Sequence, residues 1–162
     1  SFTGMMVMWK KFKKHYYAVS IFGILLLSIT LRFYDYNDRW VLAYDQARDE
    51  IVAKYALDHH LIPLVGSFSS AGPFQWGPEL YWILMGSTAV YPFAVITPWV
   101  VMTLLYVFCV YLIIRVAEKL IDKKFALIAG LLAAISTAQI EQSTNLTNPS
   151  FSASANPFPV SL

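Results

Sequence analysis

Asp45, Arg48 and Asp49 are the residues in this sequence best spaced to do chemistry. They stand three and four positions apart, so on a helix they occupy one neighbourhood of its surface. A carboxylate within reach of a hydroxyl can take its proton as a general base. A guanidinium beside it can orient that carboxylate or hold a phosphate through paired N–H donors. The plain alternative is a solvated i, i+3 ion pair worth roughly a few tenths of a kcal/mol. The surrounding stretch, residues 33–97, concentrates the polar content. It carries seven of the ten acidic residues (Asp35, Asp38, Asp45, Asp49, Glu50, Asp58 and Glu79). With Trp99 at its border it also gathers four of the five tryptophans, the others being Trp40, Trp76 and Trp82. His59 and His60 are adjacent, point different ways on a helix and lack a spaced Cys or His partner, which fits a wet loop better than a metal site. The single cysteine, Cys109, excludes an intrachain disulfide.

The elements around this stretch belong to a membrane protein. The 162 residues are 57% hydrophobic and 14% charged, with mean hydropathy +0.53, whereas a soluble domain carries about 25% charge. A net charge of +2 says little as a total, but the cations cluster in two places. One is Lys10–Lys14, KKFKK. It precedes an apolar run at 16–34, close to the ~20 residues that span hydrocarbon, with Tyr16, Tyr17, Phe33 and Tyr34 at its two ends as interfacial aromatics. The run is too long for a signal-peptide core and no small-residue cleavage site follows, so an uncleaved signal-anchor is expected. Positive-inside bias places residues 1–15 in the cytoplasm and Asp35 outside.

From Trp40 to Asp58 apolar residues recur as Tyr44, Ala47, Ile51 and Tyr55, the spacing of an amphipathic surface helix. LIPLVGSFSSAGPFQWGP then reads as a loop with several turns. The segment at 79–92 is short and limited by Pro92. Counting it as a crossing would put the second basic cluster, Arg115, Lys119, Lys123 and Lys124, outside, so it is expected to be juxtamembrane. The second span is expected at 98–114, a cytoplasmic loop at 115–124, and the third span at 125–140. In that third span Ala126, Gly130, Ala133 and Ala134 make a small-residue face for close helix packing. Residues 141–162 return outside as a polar loop and the start of another helix. The chain ends at PFPVSL without a polar tail, and a piece of a longer chain is expected. Asn145-Leu-Thr147 is a glycosylation sequon if this side is lumenal. The fold class is thus an all-α integral membrane protein with three full transmembrane helices and external juxtamembrane helices at 40–58 and 79–92.

One family matches this order of features. Asp45-Gln46-Ala47-Arg48, the helix and Gly-containing loop that follow, and Gly77-Pro78-Glu79-Leu80-Tyr81-Trp82 together resemble the first external loop of the GT-C-type membrane glycosyltransferases. Within them the chain is most similar to the protein-mannosyltransferase and aminoarabinose-transferase-like group. The resemblance covers nearly the whole chain, as the N-terminal part of the GT-C fold. It implies inverting transfer of a sugar from a polyprenyl-phosphate donor to an acceptor hydroxyl at the external membrane face. It also implies Asp45 as the catalytic base. Arg48, Asp49, Glu79 and Asn148 are the substrate-binding candidates, though Glu79 is equally a helix-start acid favoured by the dipole. Trp76, Tyr81 and Trp82 would face lipid or sugar, and the simpler reading of all three is membrane anchoring. The partners would be the lipid-linked donor, membrane lipids and a glycan, lipid or protein acceptor, with no nucleic acid.

There are departures from the family. Gln46 stands where many members carry Glu, and the second external loop offers Asn145 and Asn148 where many carry an acid. A divalent metal held by two acids is therefore not expected, and no cofactor is. The family's acceptor-binding parts lie beyond Leu162, so the isolated chain is expected to be inactive. The alternative is a non-enzymatic multi-pass scaffold or assembly subunit. A transporter would place ionisable residues within its spans, and here Arg32 and Arg115 stand only at their ends.

Overall fold

The computed structural model describes residues 2–69, 73–92 and 94–146, with side chains from His15 onward. Among the described residues every named element is a helix and no strand forms. Seven helices run in order: α1 Phe2–Phe33, α2 Tyr36–Arg39, α3 Tyr44–Asp58, α4 Glu79–Val90, α5 Thr97–Leu120, α6 Lys123–Ile135 and α7 Thr137–Gln142. Two of them contain segments long and apolar enough to cross a membrane, His15–Phe33 within α1 and all of α5. Only 11% of the first segment is buried, unlike the core helix of a soluble protein. Phe22 and Leu26 on α1, and Phe108 and Leu112 on α5, are exposed. So large an exposed apolar surface needs lipid or another apolar partner to cover it.

α3 starts at Tyr44 rather than at residue 40 and α4 ends at Val90 rather than at 92, and larger differences from the expected boundaries fall in three further places. α1 begins at Phe2 rather than near residue 16, because nothing in KKFKK stops a helix. α5 continues six residues past Ile114 through Arg115 and Lys119, so the expected loop at 115–124 is mostly helix. Only Ile121 and Asp122 separate α5 from α6, and the Asp122 carboxylate caps α6 by accepting from the Phe125 N–H at 2.7 Å. The third apolar run is divided at Ser136, whose backbone is extended. Its first part, α6, has 13 residues and is about 20 Å long, short of the ~30 Å hydrocarbon thickness.

Two compact units divide the chain. The first comprises α1, the latter part of α5 from Tyr106, and α6. Its core joins Val110, Ile114 and Ala117 to Ala126, Ala133 and Ala134, with Ile21, Ile24 and Leu25 packed against them. Gly130 makes the approach possible: a Cβ there would meet the end of the buried Ile114 side chain. Arg32, fully buried, closes this unit. Its Nη1 donates to Ser28 Oγ at 2.7 Å and to the Ala134 carbonyl at 3.1 Å, and its Nη2 to the Ala133 carbonyl at 3.3 Å and Gln139 Oε1 at 3.4 Å. In an unbroken helix those two carbonyls would receive the N–H groups of residues 137 and 138. The guanidinium takes them instead, at the negative end of the helix dipole, which accounts for a helix ending inside an apolar run.

The second unit holds the described residues among 35–105 and residues 141–146. α3 packs on α4 through buried Ala53, Ala56, Leu80 and Leu84. α3 ends in a Schellman motif. The Leu61 N–H donates to the Ala56 carbonyl at 2.8 Å and the His60 N–H to the Leu57 carbonyl at 3.2 Å. His60 supplies the left-handed position at φ 55°, where glycine is usual. The loop between α3 and α4 is a narrow ribbon. Gly66 N–H meets the Trp76 carbonyl at 2.8 Å, Trp76 N–H the Ser67 carbonyl at 3.0 Å, and Ser69 N–H the Phe74 carbonyl at 2.9 Å. Gly66 has to be glycine here, because a Cβ would strike the backbone of Trp76 and Gly77. Trp40 packs edge-on against the buried Trp99 at 5.4 Å, and the Tyr36 hydroxyl hydrogen-bonds Thr103 Oγ1 at 2.9 Å.

Candidate functional site

The start of α3 sets Asp45. Gln46 Oε1 accepts the Ala43 N–H at 3.1 Å, tying the residue before the helix to its first turn. Gln46 is buried and serves helix initiation, a role that Glu fills equally in a capping arrangement. Asp45 lies in that first turn, where the helix dipole favours a carboxylate. Its side chain is 69% exposed.

Arg48 lies between two carboxylates of unequal exposure. Its Nη1 donates to Asp45 Oδ1 at 3.0 Å. Its Nε donates to Asp49 Oδ1 at 3.0 Å and its Nη2 lies 2.9 Å from the same atom. Asp49 is buried, with 6% of its side chain exposed, and the Tyr81 hydroxyl from α4 adds a further hydrogen bond at 3.3 Å. The four side chains form a chain of contacts from the α3–α4 interface to the surface, in the order Tyr81, Asp49, Arg48, Asp45. Burial opposes the Arg48 charge, but the hydrogen bond from Asp49 and the charges of Asp49 and Asp45 outweigh it and hold its pKa above the ordinary value. Burial, then the charge of Asp49 and its hydrogen bond, raise the Tyr81 pKa, so Tyr81 stays a donor.

The structure therefore brings Asp45, Arg48 and Asp49 together and leaves Glu79 apart. Glu79 is the exposed first residue of α4, and its carboxylate folds against Gly77, where any Cβ would collide with it. It makes no hydrogen bond or ion pair with the other three among the described residues. Asn148 lies outside the described residues. Tyr81 is the residue whose role the sequence hides. It was expected to anchor at the membrane or face lipid or sugar, but it is buried and donates to Asp49. Its signal was the position two residues into α4, on the face with Leu80 and Leu84. Trp82 beside it is half exposed and donates Nε1–H to the Pro63 carbonyl at 2.9 Å.

The arrangement leaves Asp45 Oδ2 open to solvent while Oδ1 is held. An exposed carboxylate fixed on one oxygen can receive a proton on the other. Among the described residues no three His, Cys, Asp or Glu side chains converge as metal ligands. Between Asp45 and Asp49 the space is filled by the guanidinium. No protein-family model matches this chain, and neither does any curated protein or solved structure.

Proposed function

We propose that this chain forms the base-bearing part of a multi-pass membrane glycosyltransferase of the GT-C type, with its active face on the external side of the cell membrane. The observation that carries the reading is the exposed Asp45 carboxylate, held on one oxygen by an arginine that is itself anchored to a buried aspartate. In the transfer, an acceptor hydroxyl oxygen attacks the anomeric carbon of a polyprenyl-phosphate sugar. The bond from that carbon to the phosphate oxygen breaks with inversion, and the polyprenyl phosphate leaves with the bonding pair. Asp45 Oδ2 takes the hydroxyl proton as the new bond forms. Because the Arg48 nitrogens Nε, Nη1 and Nη2 all lie on carboxylates, Arg48 acts as a positioning residue for Asp45 rather than as a ligand of the carrier phosphate. The third crossing in this reading is α6 continued by α7.

The test is transfer from a labelled polyprenyl-phosphate sugar in membranes carrying the full-length protein. Asp45→Asn should lower the rate by at least about 100-fold, within the range a general base contributes. Unchanged transfer with normal expression removes Asp45 from this role. A second reading, a membrane scaffold, is favoured by one fact: the Asp49–Arg48–Tyr81 contacts already hold α3 on α4 without any ligand. It requires Asp45→Asn to leave every function of the protein intact.

A further inference from the structure

The face of α3 turned away from Asp45 borders a cavity that the transferase reading does not use. Ala47, Glu50, Ile51 and Lys54 lie on it, roughly half a turn round the helix from Asp45. The facing wall is the end of α4 and the chain that follows, with Thr88, Tyr91 and Val95. The cavity holds about 380 Å³, within the range of small-ligand sites. Its lining has two characters. Leu42, Ile51, Pro92 and Val95 make it apolar over most of its extent. Glu50 and Lys54, one helical turn apart, put an anion and a cation along one lip. Glu50 is half-buried, and burial raises its pKa while Lys54 pulls it back. α4 ends at Val90, so the negative end of its dipole borders the cavity on the wall that faces Glu50.

Each part of the lining selects one part of a ligand. The carboxylate and the helix end favour a cation, and a hydrogen-bonding ammonium satisfies a carboxylate better than a quaternary amine does. Lys54, exposed one turn further along, suits a phosphate. A lone phosphate or an anionic headgroup would meet Glu50 and the α4 terminus with the wrong sign. The apolar walls require hydrocarbon next to the head. We propose that this cavity binds a zwitterionic phospholipid with a primary ammonium head, its ammonium on Glu50, its phosphate on Lys54 and the top of an acyl chain among Leu42, Ile51 and Val95. The site rests on the membrane placement of the chain and is separate from Asp45.

The experiment is native mass spectrometry of the full-length protein released from detergent. It is loaded in parallel with phosphatidylethanolamine, phosphatidylcholine, phosphatidylglycerol or soluble phosphoethanolamine. Phosphatidylethanolamine should be retained about tenfold better than either other lipid, as one charge-assisted hydrogen bond allows. Glu50→Gln should erase that preference, and Ile51→Trp, which fills the cavity from an exposed position, should lower retention of every lipid. Asp45→Asn should leave retention unchanged, so loss of transfer and loss of lipid are read separately. Equal retention of the three lipids, an undiminished preference in Glu50→Gln, or soluble phosphoethanolamine held as tightly as the lipid each overturns the proposal.

Discussion

Arg32 and Arg48 both set a guanidinium among oxygen atoms, one in each unit, and the oxygens differ in what they leave available. Arg32 is fully buried and is received by two helix-end carbonyls, a serine hydroxyl and a glutamine oxygen. Those groups have no proton chemistry near neutral pH, and the result is a clamp that ends α6. Arg48 is received by two carboxylates, one buried and one open. The buried one anchors it and the open one is kept in place, with a free oxygen at the surface. A buried cation on neutral acceptors fixes backbone, whereas a cation shared between a buried and an exposed acid holds the exposed carboxylate in place.

The largest expected effect lies on the first side of that comparison. Arg32→Met removes the donors from the Ala133 and Ala134 carbonyls in a buried setting, and should cost about 3 kcal/mol. Thermal unfolding of the detergent-solubilised protein measures it. A change under about 1 kcal/mol would mean that α6 ends at Ser136 for reasons of its own. The second unit should divide its losses. Asp49→Ala strips the Tyr81 hydroxyl and Arg48 of their buried partner and should cost about 2 kcal/mol, while Asp45→Ala, on an exposed pair, should cost below about 0.5 kcal/mol. If the protein carries out the proposed sugar transfer, that activity should rank the two substitutions the other way, with Asp45→Ala the more damaging. Equal stability losses would erase the distinction between a buried anchor and an exposed carboxylate.

This division explains what was legible in the sequence. Helices were expected at 40–58, 79–92 and 98–114 from apolar content, spacing and Pro92, and the structure has them at 44–58, 79–90 and 97–120, so helix type was legible and the continuation of α5 past Ile114 was not. The cluster of Asp45, Arg48 and Asp49 follows from their separation alone, because it lies within one helix. The partners that decide the roles do not. Tyr81 reaches Asp49 across 32 residues, and Arg32 reaches the end of α6 across about a hundred. Such contacts leave no local pattern. Arg32 stands at the end of an apolar run, and its buried role required knowing that α6 packs on α1. Gln46 looked like a lost acid and is a helix-start residue, since the side-chain acceptor, not its charge, serves the Ala43 N–H.

The glycines test the same contrast by packing. Gly130 in α6 faces Ile114, and Gly86 in α4 faces open space. Alanine gains helix propensity of about 1 kcal/mol at either position. At Gly130 the new methyl must displace a buried isoleucine, at a cost of roughly 1–3 kcal/mol. Gly86→Ala should therefore raise the melting temperature and Gly130→Ala lower it. A rise in both would show that the first unit packs its small-residue face loosely.

Glu50→Gln has the smallest effect and the most informative pH dependence. Burial raises the Glu50 pKa in the folded protein above its unfolded value, against the pull of Lys54. The folded state thus prefers the protonated acid. Its stability contribution is complete below the unfolded pKa, about 4.3, and is lost as pH rises through the higher folded value. Glutamine mimics the protonated form, so Glu50→Gln should stabilise the protein at pH 7 by less than about 1 kcal/mol for a partly solvated group, read as a higher melting temperature, and the advantage should vanish near pH 4. A residue that weakens the empty protein at neutral pH invites a reason for its presence, and a bound ammonium would supply one. Added phosphatidylethanolamine should then stabilise the native chain more than the Glu50→Gln variant, closing the gap between them at pH 7. A gap that persists at saturating lipid would leave Glu50 a plain burial cost on the side of α3 opposite Asp45.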